Sequence, residues 1–130
     1  MNHKVTIGNL SVIKIATALM VKNVLVCTPL GDGYPYDLIA DFREKLWRIQ
    51  CKTGRLKNGR VVFFPKSNNG RWYKKGQKRD YASSADLIGV YCPENDRVYL
   101  LRVEDCGRSS THILPEHDGF DRMVCVAELD

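Results

Sequence analysis

Three things are missing from this sequence, and each absence removes a class of function. The first is a paired thiol motif. The five cysteines, Cys27, Cys51, Cys92, Cys106 and Cys125, are widely spaced, and no two form Cys-x-x-Cys. A zinc knuckle and a dithiol redox centre are therefore unsupported. Cys27, Cys51, Cys92 and Cys125 stand in apolar, strand-like text, which predicts small buried side chains in a reducing compartment. The second absence is an apolar run long enough to cross a bilayer. The stretch over residues 10–26 is interrupted by Lys14, Thr17 and Lys22, and no small-residue cleavage site follows it. It reads as a packed helix and strand in a protein expected to stay in the cytoplasm, with no membrane partner. The third absence is acidic. Residues 45–79 hold twelve Lys or Arg and no Asp or Glu, leaving eight basic and fifteen acidic residues for the rest of the chain.

A basic middle in an otherwise acidic chain, with a net charge of +5, points to a polyanion. The cations are interleaved with Trp47, Phe63, Phe64, Trp72 and Tyr73, so the segment is not a solvated charge run, and nucleic acid is the expected partner. His3, His112 and His117 are scattered, and nothing near the last two completes a ligand set. Ser109, Ser110 and Thr111 form no recognisable triad. The 130 residues show neither an internal repeat nor a linker, so one domain is expected over 1–130.

Leu10, Ile13, Ala16, Thr17 and Met20 fall at helical spacing, with Ile15 and Leu19 widening the stripe. The helix is expected to open at Gly8 or Asn9 and to end near Lys22 or Asn23. Residues 23–27 read as a short buried strand. Residues 28–36, with two prolines and two glycines, read as a loop. Further strands are expected over 36–40, 45–53 and 60–64, with turns at 41–44 and 54–59. Residues 65–79 form a basic loop, and 80–84 could add one helical turn. A hairpin over 87–92 and 97–103 turns at 93–96, and 124–129 could be a last strand. The order predicts an α/β sandwich with a mixed central sheet.

Chemistry concentrates on the strand over 45–53. Side chains alternate in a strand, so Trp47, Ile49 and Cys51 face the core while Arg48, Gln50 and Lys52 share the opposite, polar face. Asp37 opens the preceding strand. If the two pair as a hairpin, a carboxylate, an amide oxygen and a lysine converge. Asp37 is a hard anionic ligand for Mg²⁺. The Gln50 amide oxygen and the Cys51 backbone carbonyl can complete the protein ligands. Lys52 can orient or deprotonate an attacking water, or neutralise developing charge. Asp41 and Glu44 read as turn residues.

At these positions the sequence resembles the PD-(D/E)XK nuclease superfamily, and within it the group I intron-associated homing endonuclease branch, in which Gln stands at the (D/E) position. The matching text is Pro29-Leu-Gly-Asp-Gly-Tyr-Pro-Tyr-Asp37-Leu-Ile-Ala-Asp41, then Arg48-Ile-Gln50-Cys-Lys52-Thr53-Gly54. Downstream, Arg79-Asp-Tyr-Ala82, Asp86-Leu-Ile-Gly-Val-Tyr-Cys-Pro-Glu94 and Arg97-Val-Tyr-Leu100 also match. The resemblance implies a restriction-endonuclease-like core, a mixed central β-sheet flanked by helices. It implies Asp37, Gln50 and Lys52 as catalytic residues, Mg²⁺ as cofactor and double-stranded DNA as substrate. It also implies an oligomer, a dimer or tetramer, as expected for a small domain facing a long site. Many members carry a further acid on the first helix. Ser11 and Val12 stand there in this chain, so a second metal ligand is missing at that position.

Arg48, Arg55, Lys57, Arg60, Lys66, Arg71, Lys74, Lys75 and Lys78 are expected to meet phosphates. Arg79 joins them, or pairs with Asp80 to place the loop. Trp72 and Tyr73 either stack on bases, wedge into a groove or pack on the sheet. Two further readings remain beside the nuclease: a catalytically weak or inactive DNA-binding module derived from one, and an assembly protein whose basic middle binds RNA.

Overall fold

The computed structural model describes residues 3–31, 33–65, 85–106 and 111–113. Helix α1, His3–Val21, begins five residues before Gly8. Its buried line is Ser11, Ile15 and Leu19, spaced four apart on one face. Leu10, Ile13 and Met20, placed inward by the spacing, are exposed. The reason is that apolar residues surround much of this helix, so the 3.6-residue period alone does not choose a face. Close packing chooses it: a Cβ on Gly89 of the sheet would lie 2.8 Å from Ile15 Cγ2. By length and composition α1 is also long and apolar enough to cross a bilayer, contrary to the expectation from the sequence. Here its inner row packs on a sheet.

The helix ends in a Schellman motif. The Val24 N–H donates to Leu19 O at 3.1 Å and the Asn23 N–H to Met20 O at 2.9 Å. Asn23 takes the left-handed φ of 63° that the motif requires, and Val24 packs with Leu19 in one core cluster.

The central sheet has the order β1-β2-β3-β6-β7: β1 Leu25–Cys27, β2 Leu38–Phe42, β3 Lys45–Thr53, β6 Leu87–Cys92 and β7 Arg97–Arg102. β3 and β6 run parallel and the other pairs antiparallel, so the sheet is mixed as expected. All six β6 residues are buried, as the text of a strand covered on both faces requires. A second sheet, β4 (Arg55–Lys57), β5 (Arg60–Phe63) and β8 (Thr111–Ile113), is antiparallel in the order β4-β5-β8.

Alternation along β6 makes three layers. Leu87 and Tyr91 join Ile15, Leu19, Leu38 and Ile49 beneath α1. Ile88, Val90 and Cys92 join Val61, Phe63 and Ile113 of the small sheet on the other face. Gly54 is the joint between the sheets. A Cβ there would lie 2.8 Å from Val61 and 2.9 Å from Val90.

Several boundaries move. The β2–β3 turn is only Arg43–Glu44, with φ of 54° and 61°. Asp41 is therefore a strand residue opposite Leu46. Residues 55–57 are a strand rather than a turn, because Asn58 and Gly59 (φ 51° and 74°) close a tight two-residue hairpin. Val103 leaves β7 for a 3₁₀ turn, Val103–Asp105. Cys27, expected to be buried, is exposed at the end of the edge strand β1, whereas Cys92 is buried. Cys125, the helical turn over 80–84 and the strand over 124–129 lie outside the described residues.

Candidate active site

Asp37 stands one residue before β2. Its N–H donates to Ile49 O at 2.8 Å, extending the register in which Leu38 faces Ile49. The carboxylate thereby reaches β3. Asp37 Oδ2 accepts the Cys51 N–H at 2.8 Å and Gln50 Nε2 at 3.2 Å. The expected convergence of Asp37 with Gln50 is thus present. Lys52, two residues along β3, is half-buried near enough for its charge to act on Asp37.

Burial raises the Asp37 pKa above its ordinary 3.8, against the opposing pull of the Cys51 N–H and the Lys52 charge. Burial lowers the Lys52 pKa from 10.5, with Asp37 opposing. The Cys51 thiol is pushed well up by burial and then by Asp37, and its side chain packs against the core beneath α1. It is no thiolate ligand, so Cys51 offers the site its backbone.

The donor set suits a hard divalent cation. Gln50 Oε1 is buried without a hydrogen-bond partner, next to a carboxylate whose charge burial disfavours. A cation within reach of both oxygens would answer both costs. Among the described residues no three His, Cys, Asp or Glu cluster, so amide and carbonyl oxygens, together with water, would complete the shell of such an ion. Ser11 is committed elsewhere. It is buried, and its Oγ lies 3.0 Å from the Ile7 O it donates to and 2.6 Å from Thr53 Oγ1. This position ties α1 to the end of β3.

The glycine-containing loop before Asp37 borders a cavity of about 160 Å³, lined by Thr28, Pro29, Gly31, Gly33, Tyr34, Tyr36 and Asp37. Gly31 and Gly33 take left-handed φ of 96° and 82°, and the Tyr34 and Tyr36 rings stack at 6.5 Å. Asp37 therefore borders an aromatic-walled opening.

Two acids escaped notice as site neighbours. Asp86, just before β6, accepts the Arg48 N–H (2.9 Å) and Arg48 Nε (3.2 Å) on Oδ2, and Arg48 Nη2 (3.2 Å) on Oδ1. Arg48, expected on nucleic acid, is thus held in a two-pronged ion pair. The text carried a signal: Asp86-Leu-Ile-Gly repeats Asp37-Leu-Ile-Ala, an acid at a strand entrance. Glu94, in the β6–β7 turn, accepts the Leu56 N–H at 2.6 Å and Arg55 Nη1 at 3.1 Å. It pins β4 and engages Arg55. Lys57 and Arg60 face each other across the β4–β5 hairpin, exposed, with no ion-pair partner among the described residues. Lys66, Arg71, Trp72, Tyr73, Lys74, Lys75, Lys78, Arg79 and Asp80 lie outside the described residues.

A profile of the PD-(D/E)XK endonuclease family matches residues 1–122. No curated protein matches the chain. Among solved structures, the fold is similar to that of the bacterial homing endonuclease I-Ssp6803I, with a TM-score of 0.61 and 22% identity over 82% of this chain and 72% of that one.

Proposed function

Since the chain belongs to the PD-(D/E)XK endonuclease family, we propose that it is a Mg²⁺-dependent DNA endonuclease hydrolysing phosphodiester bonds at Asp37, Gln50 and Lys52. The observation that carries this reading is the orphaned Gln50 Oε1 beside the desolvated Asp37 carboxylate. That pairing is costly in the protein alone and favourable around a divalent cation.

The Asp37 carboxylate, the Gln50 amide oxygen and the Cys51 carbonyl would hold the ion. When bound, it supplies charge that polarises the scissile phosphodiester and offsets negative charge developing on it. Lys52 acts on the water. Its lowered pKa lets it shed a proton more readily than an ordinary lysine, and the neutral amine then takes the proton of the attacking water. The water oxygen bonds to phosphorus as one ester P–O bond breaks, and the departing oxygen keeps that bond's electron pair and takes a proton from solvent water. The Tyr34/Tyr36 cavity opening on Asp37 accommodates sugar and phosphate on one side of the break. I-Ssp6803I is a homing endonuclease, and double-stranded DNA is the substrate we assign by that likeness of fold. A symmetric dimer or tetramer would supply a second active site for a second strand.

A second reading is favoured by Ser11, whose hydroxyl is spent on Ile7 and Thr53 where an additional acid would serve a second metal. On that reading the chain binds DNA and cuts it feebly or not at all. Plasmid DNA incubated with Mg²⁺ and wild type, Asp37→Ala or Lys52→Ala separates the two. The nuclease reading expects nicked or linear plasmid from wild type and a loss of about a thousandfold in either variant. Equal cutting by all three, or none by any, overturns it, and retention of uncut plasmid establishes the binding module.

A further inference from the structure

Alternation in the small sheet sorts its residues into two sets. Val61, Phe63 and Ile113 turn into the core against β6 and β7. The register pairs Arg55 with Val62, Val62 with His112, and Lys57 with Arg60, so these five share the outer face. With Asn58 at the hairpin tip and Phe64 beyond β5, this face borders a hollow of about 430 Å³, lined by Lys57, Asn58, Arg60, Val62, Phe64 and His112. Among the described residues no carboxylate lines it. Glu94, the acid that meets this sheet, is taken up by Arg55 and the Leu56 N–H. Phe64 is 59% exposed beside the cations.

We infer that this outer face of the β4-β5-β8 sheet enters the major groove of duplex DNA and reads base edges there. The inference rests on the DNA reading proposed above and names the element that selects the target. Charge complementarity fixes the occupant as a polyanion. The apolar members decide that contact goes past the phosphates, because a phosphate offers Val62 and Phe64 nothing. A base edge offers both kinds of group. Arg60 and Lys57 can donate to guanine O6 and N7, Asn58 can pair with adenine, and Val62 and Phe64 can meet thymine methyls. The size fits: the β4–β5 hairpin is a two-stranded antiparallel ribbon, the kind of element that a major groove about 12 Å wide admits. The A-form groove of duplex RNA is too narrow and deep for such a face.

The test is repeated selection from a pool of randomised DNA duplexes in EDTA, where cleavage plays no part. It uses wild type, Lys57→Gln, Arg60→Gln and Phe64→Ala, with folding checked by circular dichroism. Wild type should enrich a motif. Lys57→Gln and Arg60→Gln should each lose discrimination at one or two adjacent guanines by roughly five- to hundredfold. Phe64→Ala should lose a thymine preference. Affinity for unselected duplex should fall uniformly and by less. Three results overturn the inference: no motif from wild type, a motif unchanged in Lys57→Gln and Arg60→Gln, or equal retention of duplex RNA. The first two hold even where affinity drops, since that drop alone marks phosphate contacts. The nuclease reading is judged separately. An enriched motif without cleavage spares this inference, and cleavage with an unchanged motif overturns it alone.

Discussion

Two strand entrances in this molecule carry nearly the same text, Asp37-Leu-Ile-Ala and Asp86-Leu-Ile-Gly, yet their acids lead opposite lives. Both stand one residue before a neighbour of β3, and both backbone N–H groups bond to β3 carbonyls, Asp37 to Ile49 O and Asp86 to Arg48 O. Asp86 is closed by a cation. Burial opposes its charge, but the Arg48 side chain, N–H and charge outweigh burial and hold its pKa below 3.8. Asp37 accepts hydrogen bonds from two neutral donors, Cys51 and Gln50, and burial raises its pKa. The local sequence places an acid at a strand end. The neighbour on β3 decides whether that acid is a structural lock or an open ligand.

That contrast can be broken from either side. The largest effect should come from the cation itself. At a hundred times its dissociation constant, Mg²⁺ or Mn²⁺ should stabilise the protein by about 2.7 kcal/mol. A thermal shift of several degrees is expected in wild type and in Asp86→Asn and none in Asp37→Asn; an equal shift in all three removes Asp37 from the site. Next, Gly54→Ala should cost about 1–3 kcal/mol by urea unfolding, because its methyl meets Val61 on one sheet and Val90 on the other. Asp86→Asn should cost about 1 kcal/mol after allowance for solvent screening. The sign follows from the depressed pKa: the contribution is complete above 3.8 and is lost as pH falls through the folded value. Urea midpoints of wild type and variant should therefore converge in acid. The smallest effect is Asp37→Asn without cation. Its raised pKa means that the ionised form burdens the fold at neutral pH, so the variant should gain less than about 1 kcal/mol, and the gain should vanish below 3.8.

The central hairpin was legible because its reasoning was local. Strand alternation on 45–53 and a short turn were enough to bring Asp37 to Gln50. The orientation of α1 was not legible, since exposed Leu10, Ile13 and Met20 are as apolar as buried Ile15 and Leu19. What decided it was Gly89, distant in sequence and visible only as space beneath Ile15. The role of Arg48 was hidden for a similar reason: its partner lies 38 residues away. The β4–β5 hairpin was missed although Asn58-Gly59 is a strong two-residue turn signal. The glycine at 54 and the surrounding cations made 54–59 read as one turn. β8, with His112, pairs with β5, a partner about fifty residues earlier.

One feature of the chain path bears on how such a protein could change its target over generations. β3 leads into β4 through the single residue Gly54, so the proposed cutting residues and the proposed reading face are consecutive on one ribbon. Arg55 is five residue steps from Gln50, at most about 17 Å at strand rise, or about five base-pair steps. Substitutions on the small sheet could alter which bases are preferred and leave the offset between reading and cutting untouched. Altering that offset would take an insertion or deletion beside Gly54, where there is no room for even a methyl group. Lineages of this protein should therefore drift in the letters of their sites and keep the distance to the cut.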